Sequence, residues 1–166
     1  MSGRLNEKCY KTVKRDYESD QQKLASFGGT DETLISVVRK PNGSKIDVYC
    51  DEHRPELGMP TRPLKQFHEL RAGYYGNSAV DDAHNTAFDD ANLEAIYRDY
   101  IDSGEARQSV REIAQRLRTG ENITLVCFEE EGERCHRRIL MDTIESERQS
   151  SESKFVFVRN KRKSRE

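Results

Sequence analysis

Between Ile123 and Ile144 the chain has one ready way to fold: a buried strand, an acidic turn and then a helix. Ile123-Thr124-Leu125-Val126-Cys127-Phe128 is the most strand-like run in the sequence. Glu129-Glu130-Glu131-Gly132-Glu133 follows as a short acidic loop, and Cys135 opens a stretch in which Ile139, Leu140, Thr143 and Ile144 fall on one helical face. A strand feeding a helix is the building unit of an α/β domain, and in a parallel sheet this turn lies at the carboxyl edge, where ligands usually bind. Cys127, Cys135, His136, Arg137 and Arg138 converge there, so the turn is the candidate site.

The remaining elements follow from pattern. Tyr10, Val13 and Tyr17 suggest a helix, and Gly28-Gly29-Thr30 then breaks the chain; no strand precedes this break, so it is not read as a dinucleotide loop. Leu34–Val38 is expected as a buried strand stopped by Lys40-Pro41-Asn42-Gly43, and Ile46–Tyr49 as a short second strand. The three prolines and the glycine between Arg54 and Pro63 predict an irregular loop, and Leu64, Phe67 and Leu70 a short helix after it. Gly73 to Asn92, poor in aliphatics, is expected as a long loop, with Asp90 capping the next helix and His68 and His84 at the surface.

Leu93, Ile96, Tyr97, Tyr100 and Ile101 predict a helix stopped near Gly104. Val110, Ile113, Ala114 and Leu117 predict another, stopped at Gly120. Residues 145–154 read as a surface linker and Phe155–Val158 as a returning strand. The expected architecture is one α/β domain over residues 1–150, Rossmann-like in layering with a mostly parallel sheet, completed by the strand at 155–158. Residues 159–166 form a basic tail, expected as a solvated, disordered end able to meet phosphate backbones or acidic partners.

At 166 residues the chain suits one domain with a real core, and its formal charge of −2 argues against a generally basic nucleic-acid binder. No apolar run approaches the length of a membrane span, and Met1–Lys8 lacks the apolar core of a secretory signal. Cytoplasmic residence without membrane partners is the expectation, with the four cysteines reduced.

The turn supports three chemistries. The first is an anion site: a helix N-terminus offers unpaired N–H groups, Arg137 adds a planar fork, and Arg39 adds a second from the neighbouring strand end. His136 and Cys127 would line it, and Glu129 would orient the ligand or act as acid/base. The ligand would be a phosphate-bearing small molecule or nucleic acid. The structural alternative is that Arg137 pairs with Glu129 or with the acidic loop.

The second chemistry is a thiol enzyme or redox sensor. Cys135 would be the nucleophile, Glu129 or His136 the base, and Cys127 the partner in a reversible disulfide. A neighbour in sequence sits about 100° around a helix, which is poor geometry for a Cys135–His136 dyad. The third is zinc on Cys127, Cys135 and His136, with Cys50 or His53 completing four ligands; the favoured expectation is that no cofactor is held. A purely structural interaction module also fits, so catalysis is left open.

These residues resemble a known family. Cys127-x-Glu129 followed by Cys135-His136-Arg137 and an apolar helix is similar to the closing signature of the domain of unknown function 488 family. Leu34–Pro41 looks like that family's early strand ending in Arg and then Pro. Pro55-Glu56-Leu57-Gly58-Met59-Pro60 with Leu64, and Tyr97 with Tyr100, are similar to one of its subgroups. Many members carry an acidic residue beside the early Arg; here Val37 stands two positions before Arg39. The resemblance implies the α/β fold and the turn as the site, and does not specify a reaction.

Overall fold

The computed structural model describes residues 2–22, 32–40, 44–46, 48–77, 80 and 82–163, and side chains over these residues except 20–22 and 151–163. Gly28-Gly29-Thr30, residues 41–43 and the end of the basic tail lie outside the described residues.

Four parallel strands form one sheet in the order β1-β4-β2-β3: β1 (Leu5–Cys9), β2 (Glu32–Ser36), β3 (Glu52–His53) and β4 (Asn122–Cys127). Among the described residues six α-helices connect and cover it: α1 (Tyr10–Gln22), α2 (Thr61–Tyr74), α3 (Ala83–Asp90), α4 (Leu93–Ile101), α5 (Gly104–Arg118) and α6 (His136–Lys163). This is the layered, Rossmann-like α/β arrangement that the sequence pattern predicts.

β4 pairs with a strand on each side, and with helices packed over the sheet it is buried from Ile123 to Cys127. That explains its nearly unbroken apolar run. Its register sets Cys127 opposite Cys9 and Val126 opposite Ser36, so the strand ends share one edge. β2 ends two residues early, at Ser36, but the Val37 N–H still donates to the Val126 carbonyl at 3.0 Å, and Val37 and Val38 stay buried.

β1 was not expected. Leu5-Asn6-Glu7-Lys8-Cys9 carries little apolar signal because it is an edge strand, and its polar side chains have partners elsewhere. The Val48 and Tyr49 N–H groups turn back onto the Lys45 carbonyl, in place of the expected strand at Ile46–Tyr49, of which Asp47 lies outside the described residues. The real third strand is the two-residue β3.

Helix α2 buries Phe67 as the spacing of Leu64, Phe67 and Leu70 implies. The stretch expected as a loop contains α3, which buries Ala83, His84, Ala87 and Phe88. Asp82 caps it, accepting the Asn85 N–H at 2.9 Å. Asp90 is therefore the last residue of α3 and not the cap of α4. The break between the two helices is made by Asn92, whose φ of 50° is a left-handed conformation that asparagine tolerates. Gly120, at φ 102°, ends α5 as expected and donates to the Leu117 carbonyl.

Helix α6 runs unbroken to Lys163, through the expected linker at 145–154, the expected strand at 155–158 and the first part of the basic tail. No glycine or proline interrupts it, and Ser, Glu, Gln and Arg all extend a helix at little cost. No helix among the described residues is long and apolar enough to cross a membrane.

Candidate functional site

β4 delivers Cys127 to the carboxyl edge of the sheet, and the chain turns through Gly132, φ 90°, to begin α6 at His136. Only a residue without Cβ takes that turn freely. Helix α3 holds the loop from the side. The Asn85 amide donates to the Gly132 carbonyl at 3.1 Å and accepts the Arg134 N–H at 2.7 Å, while His84 Nε2 meets the Arg134 carbonyl at 2.9 Å. Arg134 lies over Phe88 and pairs with Asp89 and Glu94.

The turn brings four of the expected residues together. Cys127 Sγ donates to Glu129 Oε2 at 2.8 Å, and Cys135 Sγ donates to the same oxygen at 3.1 Å. His136 Nδ1 is 3.8 Å from Cys135 Sγ. The donor atoms of Cys127, Glu129, Cys135 and His136 all lie within 4.8 Å of one another. Cys127, Cys135 and His136 are buried, at 2%, 4% and 6% exposure.

The objection to a Cys135–His136 contact fails because Cys135 precedes the helix. Its side chain is not on the helical wheel, and its sulfur accepts the Arg137 N–H at 3.4 Å in the manner of a helix cap. The helix N-terminus is thus directed at a sulfur of its own chain.

The electrostatics of the cluster are coupled. Burial pushes the Cys135 thiol up, but hydrogen bonding with Cys127 and the charge of His136 outweigh it and bring it down to about 7. Burial also works against a charged His136, yet the Cys135 sulfur beside it brings the imidazole up to about 9. Burial, reinforced by Cys135 and Glu129, holds the Cys127 thiol well above its ordinary value. For Glu129 burial is outweighed by His136 and by the two thiol hydrogen bonds, so the carboxylate lies below its usual range.

The arginines depart from expectation. Arg137 pairs with Glu7 and not with Glu129 or the acidic loop. It is 4% exposed, and its guanidinium donates to Glu7 Oε2 and to the Lys8 carbonyl, both at 2.7 Å, tying α6 to β1. Arg39 sits where expected, at the end of β2. It donates to the carbonyls of Met59 and Gly58, each at 2.9 Å, and to the Tyr100 hydroxyl at 2.6 Å, so much of its fork is committed to the proline-rich loop. Cys50 and His53 are not in the cluster; His53 Nδ1 meets Ser36 Oγ at 3.1 Å on β3.

Above the cluster lies a cavity of about 670 Å³. Cys127, Glu129 and His136 line it, together with Arg39, Lys40 and the Lys65, His68 and Arg71 side chains of α2. Val38, Met59, Leu64 and Phe128 supply apolar lining, and Glu69 and Glu133 are the other carboxylates. Burial and the Arg71 charge depress the His68 pKa. His84, expected at the surface, is buried and lines the cavity; its Nδ1 has no hydrogen-bond partner among the described residues and stands 3.7 Å from Glu133.

Sequence reasoning missed His84, Asn85 and the α2 residues of the cavity wall. The Asp82-x-x-Asn85 cap ahead of Ala87, Phe88 and Ala91 was the available signal for α3.

No curated protein and no solved structure matches the chain. A family model described as the active DUF488-N3 subclade matches residues 29–148, a span holding β2, β4, the cavity wall and the whole Cys127–His136 turn while leaving β1 outside. With that span well over half of its length, the chain belongs to the DUF488 family.

Proposed function

We propose that the cavity binds a phosphate-bearing ligand, a nucleotide or a nucleic-acid element, over a floor that includes Cys127, Glu129 and His136. The observation that carries this reading is the composition of the cavity: Lys65, His68 and Arg71 from α2 share it with that floor. Positions 65, 68 and 71 fall within one side of a helix, so α2 presents them as a strip. The 670 Å³ volume is in the range of small-molecule sites, and the lining of Met59, Leu64 and Phe128 suits the flat, apolar part of a nucleoside.

The roles differ from those first assigned. Arg71 and Lys65 replace Arg137 as the cationic groups, and Arg39 contributes from the rim while holding the proline-rich loop. The Arg137 N–H at the start of α6 is taken by Cys135 and is not free for the ligand.

Calorimetric titration with AMP, adenosine and inorganic phosphate tests the proposal. A charge-assisted hydrogen bond contributes about 1.5–3 kcal/mol, so AMP is expected to bind at least roughly tenfold tighter than adenosine. Arg71→Ala or Lys65→Ala is expected to erase most of that advantage. If AMP and adenosine bind alike, or neither binds, the phosphate reading is wrong.

A further inference from the structure

The cluster under the cavity gathers four side chains that can each ligate a metal, with their donor atoms within 4.8 Å of one another. Glu129 is a carboxylate set among buried side chains, and its side-chain donors are two thiols, which are weak donors. The Arg137 guanidinium bonds Glu7 rather than Glu129.

His136 is oriented by the chain. Its Nε2 lies 2.9 Å from the Val37 carbonyl, which requires a proton on Nε2 and leaves Nδ1 directed at Cys135. A backbone carbonyl fixing one ring nitrogen so that the other can coordinate is the usual arrangement behind a metal-ligating histidine. The Arg137 N–H on Cys135 Sγ is likewise a bond that a metal-bound thiolate accepts.

From these residues we infer that Cys127, Glu129, Cys135 and His136 form a tetrahedral site for a zinc ion. Zinc bonds to sulfur at about 2.3 Å and to nitrogen or oxygen at about 2.0–2.2 Å, which sets the edges of a tetrahedron at roughly 3.3–3.8 Å. The observed separations of 2.8, 3.1 and 3.8 Å, with all four donors within 4.8 Å, are already on that scale. Two thiolates, an imidazole and a carboxylate are a donor set suited to zinc rather than to magnesium or calcium. Three of the four ligands line the cavity, so the ion has a route in from solvent. Glu129 takes the place that sequence reasoning gave to Cys50 or His53. The site stands independently of what the cavity above it binds.

The test uses the full chain, reduced and stripped of metal, and cobalt(II) as the probe. The expected result is one equivalent of tetrahedral cobalt with thiolate-to-metal charge-transfer absorption, displaced by one equivalent of zinc. Cys127→Ser and Cys135→Ser are each expected to weaken binding by about 100-fold or more, at least the upper end of what loss of a supporting partner costs. Cys50→Ser is expected to leave the spectrum unchanged. X-ray absorption of the zinc-loaded parent protein needs no variant to fold, and should give two sulfur and two nitrogen or oxygen neighbours. Octahedral cobalt without charge transfer, a zinc shell lacking sulfur, or a spectrum that survives Cys127→Ser overturns the site. So does a Cys127–Cys135 disulfide that re-forms in air in the presence of excess zinc.

Discussion

Arg137→Ala separates a residue that holds the fold from one that grips a ligand. The Arg137 side chain is 5% exposed, and its Nε bonds Glu7 Oε2 at 2.7 Å. Removing one partner of a buried ion pair costs about 3–5 kcal/mol, because the other is left uncompensated. Glu7 is 29% exposed and keeps Arg138 at 3.3 Å, which places the cost near the lower end, about 3 kcal/mol. Domains of this kind are stable by about 5–15 kcal/mol, so the variant should remain folded in buffer with a lower urea midpoint and an unchanged slope. A double-mutant cycle with Glu7→Gln should show a coupling of at least about 1 kcal/mol. Binding of a cavity ligand, corrected for the folded fraction, should be unaltered. A variant within about 0.5 kcal/mol of the parent that has lost ligand affinity would refute this reasoning and return Arg137 to the site.

Three further outcomes are expected. Gly58→Ala should cost about 1–3 kcal/mol in urea denaturation, because an added Cβ would lie 2.3 Å from the Arg39 backbone nitrogen although the backbone φ of −78° suits any residue. Asn85→Ala frees the Gly132 carbonyl and the Arg134 N–H; a loss of about 1–2 kcal/mol is expected, with faster amide exchange confined to residues 129–134, and uniform exchange would argue against α3 as the clamp. The Glu121 carboxyl is held down to about 2, from an ordinary 4.5, by its hydrogen bonds to Arg116 at 2.8 and 2.5 Å. Its folded pKa is the lower one, so the stability it contributes is complete above the ordinary value and lost as pH falls from about 4.5 through 2. With the side chain one-third exposed, solvent screening limits this to about 1 kcal/mol. Denaturation at pH 6 and pH 2.5 should show the difference shrink in Glu121→Gln.

Local order was legible where a short-range pattern is strong, and not at Ile46–Tyr49 or 145–158, where it is weak. The apolar run of β4, the helical faces of α4 and α5 and the glycine stop at Gly120 are short-range patterns, and each appears in the fold. The gathering of Cys127, Glu129, Cys135 and His136 follows from the same cause: they flank a single strand-to-helix turn, so forming that turn brings them together. What only the tertiary structure decided involves partners far apart in sequence. Glu7 lies 130 positions from Arg137, and the sequence carries no trace of their pairing. β1 is a strand because β4 offers it an edge, α3 is ordered against the acidic loop, and α2 supplies the cavity wall. Periodicity reports which side of an element avoids water. A polar or charged side chain instead goes to the partner that compensates its desolvation best, and the register of distant segments settles which partner that is.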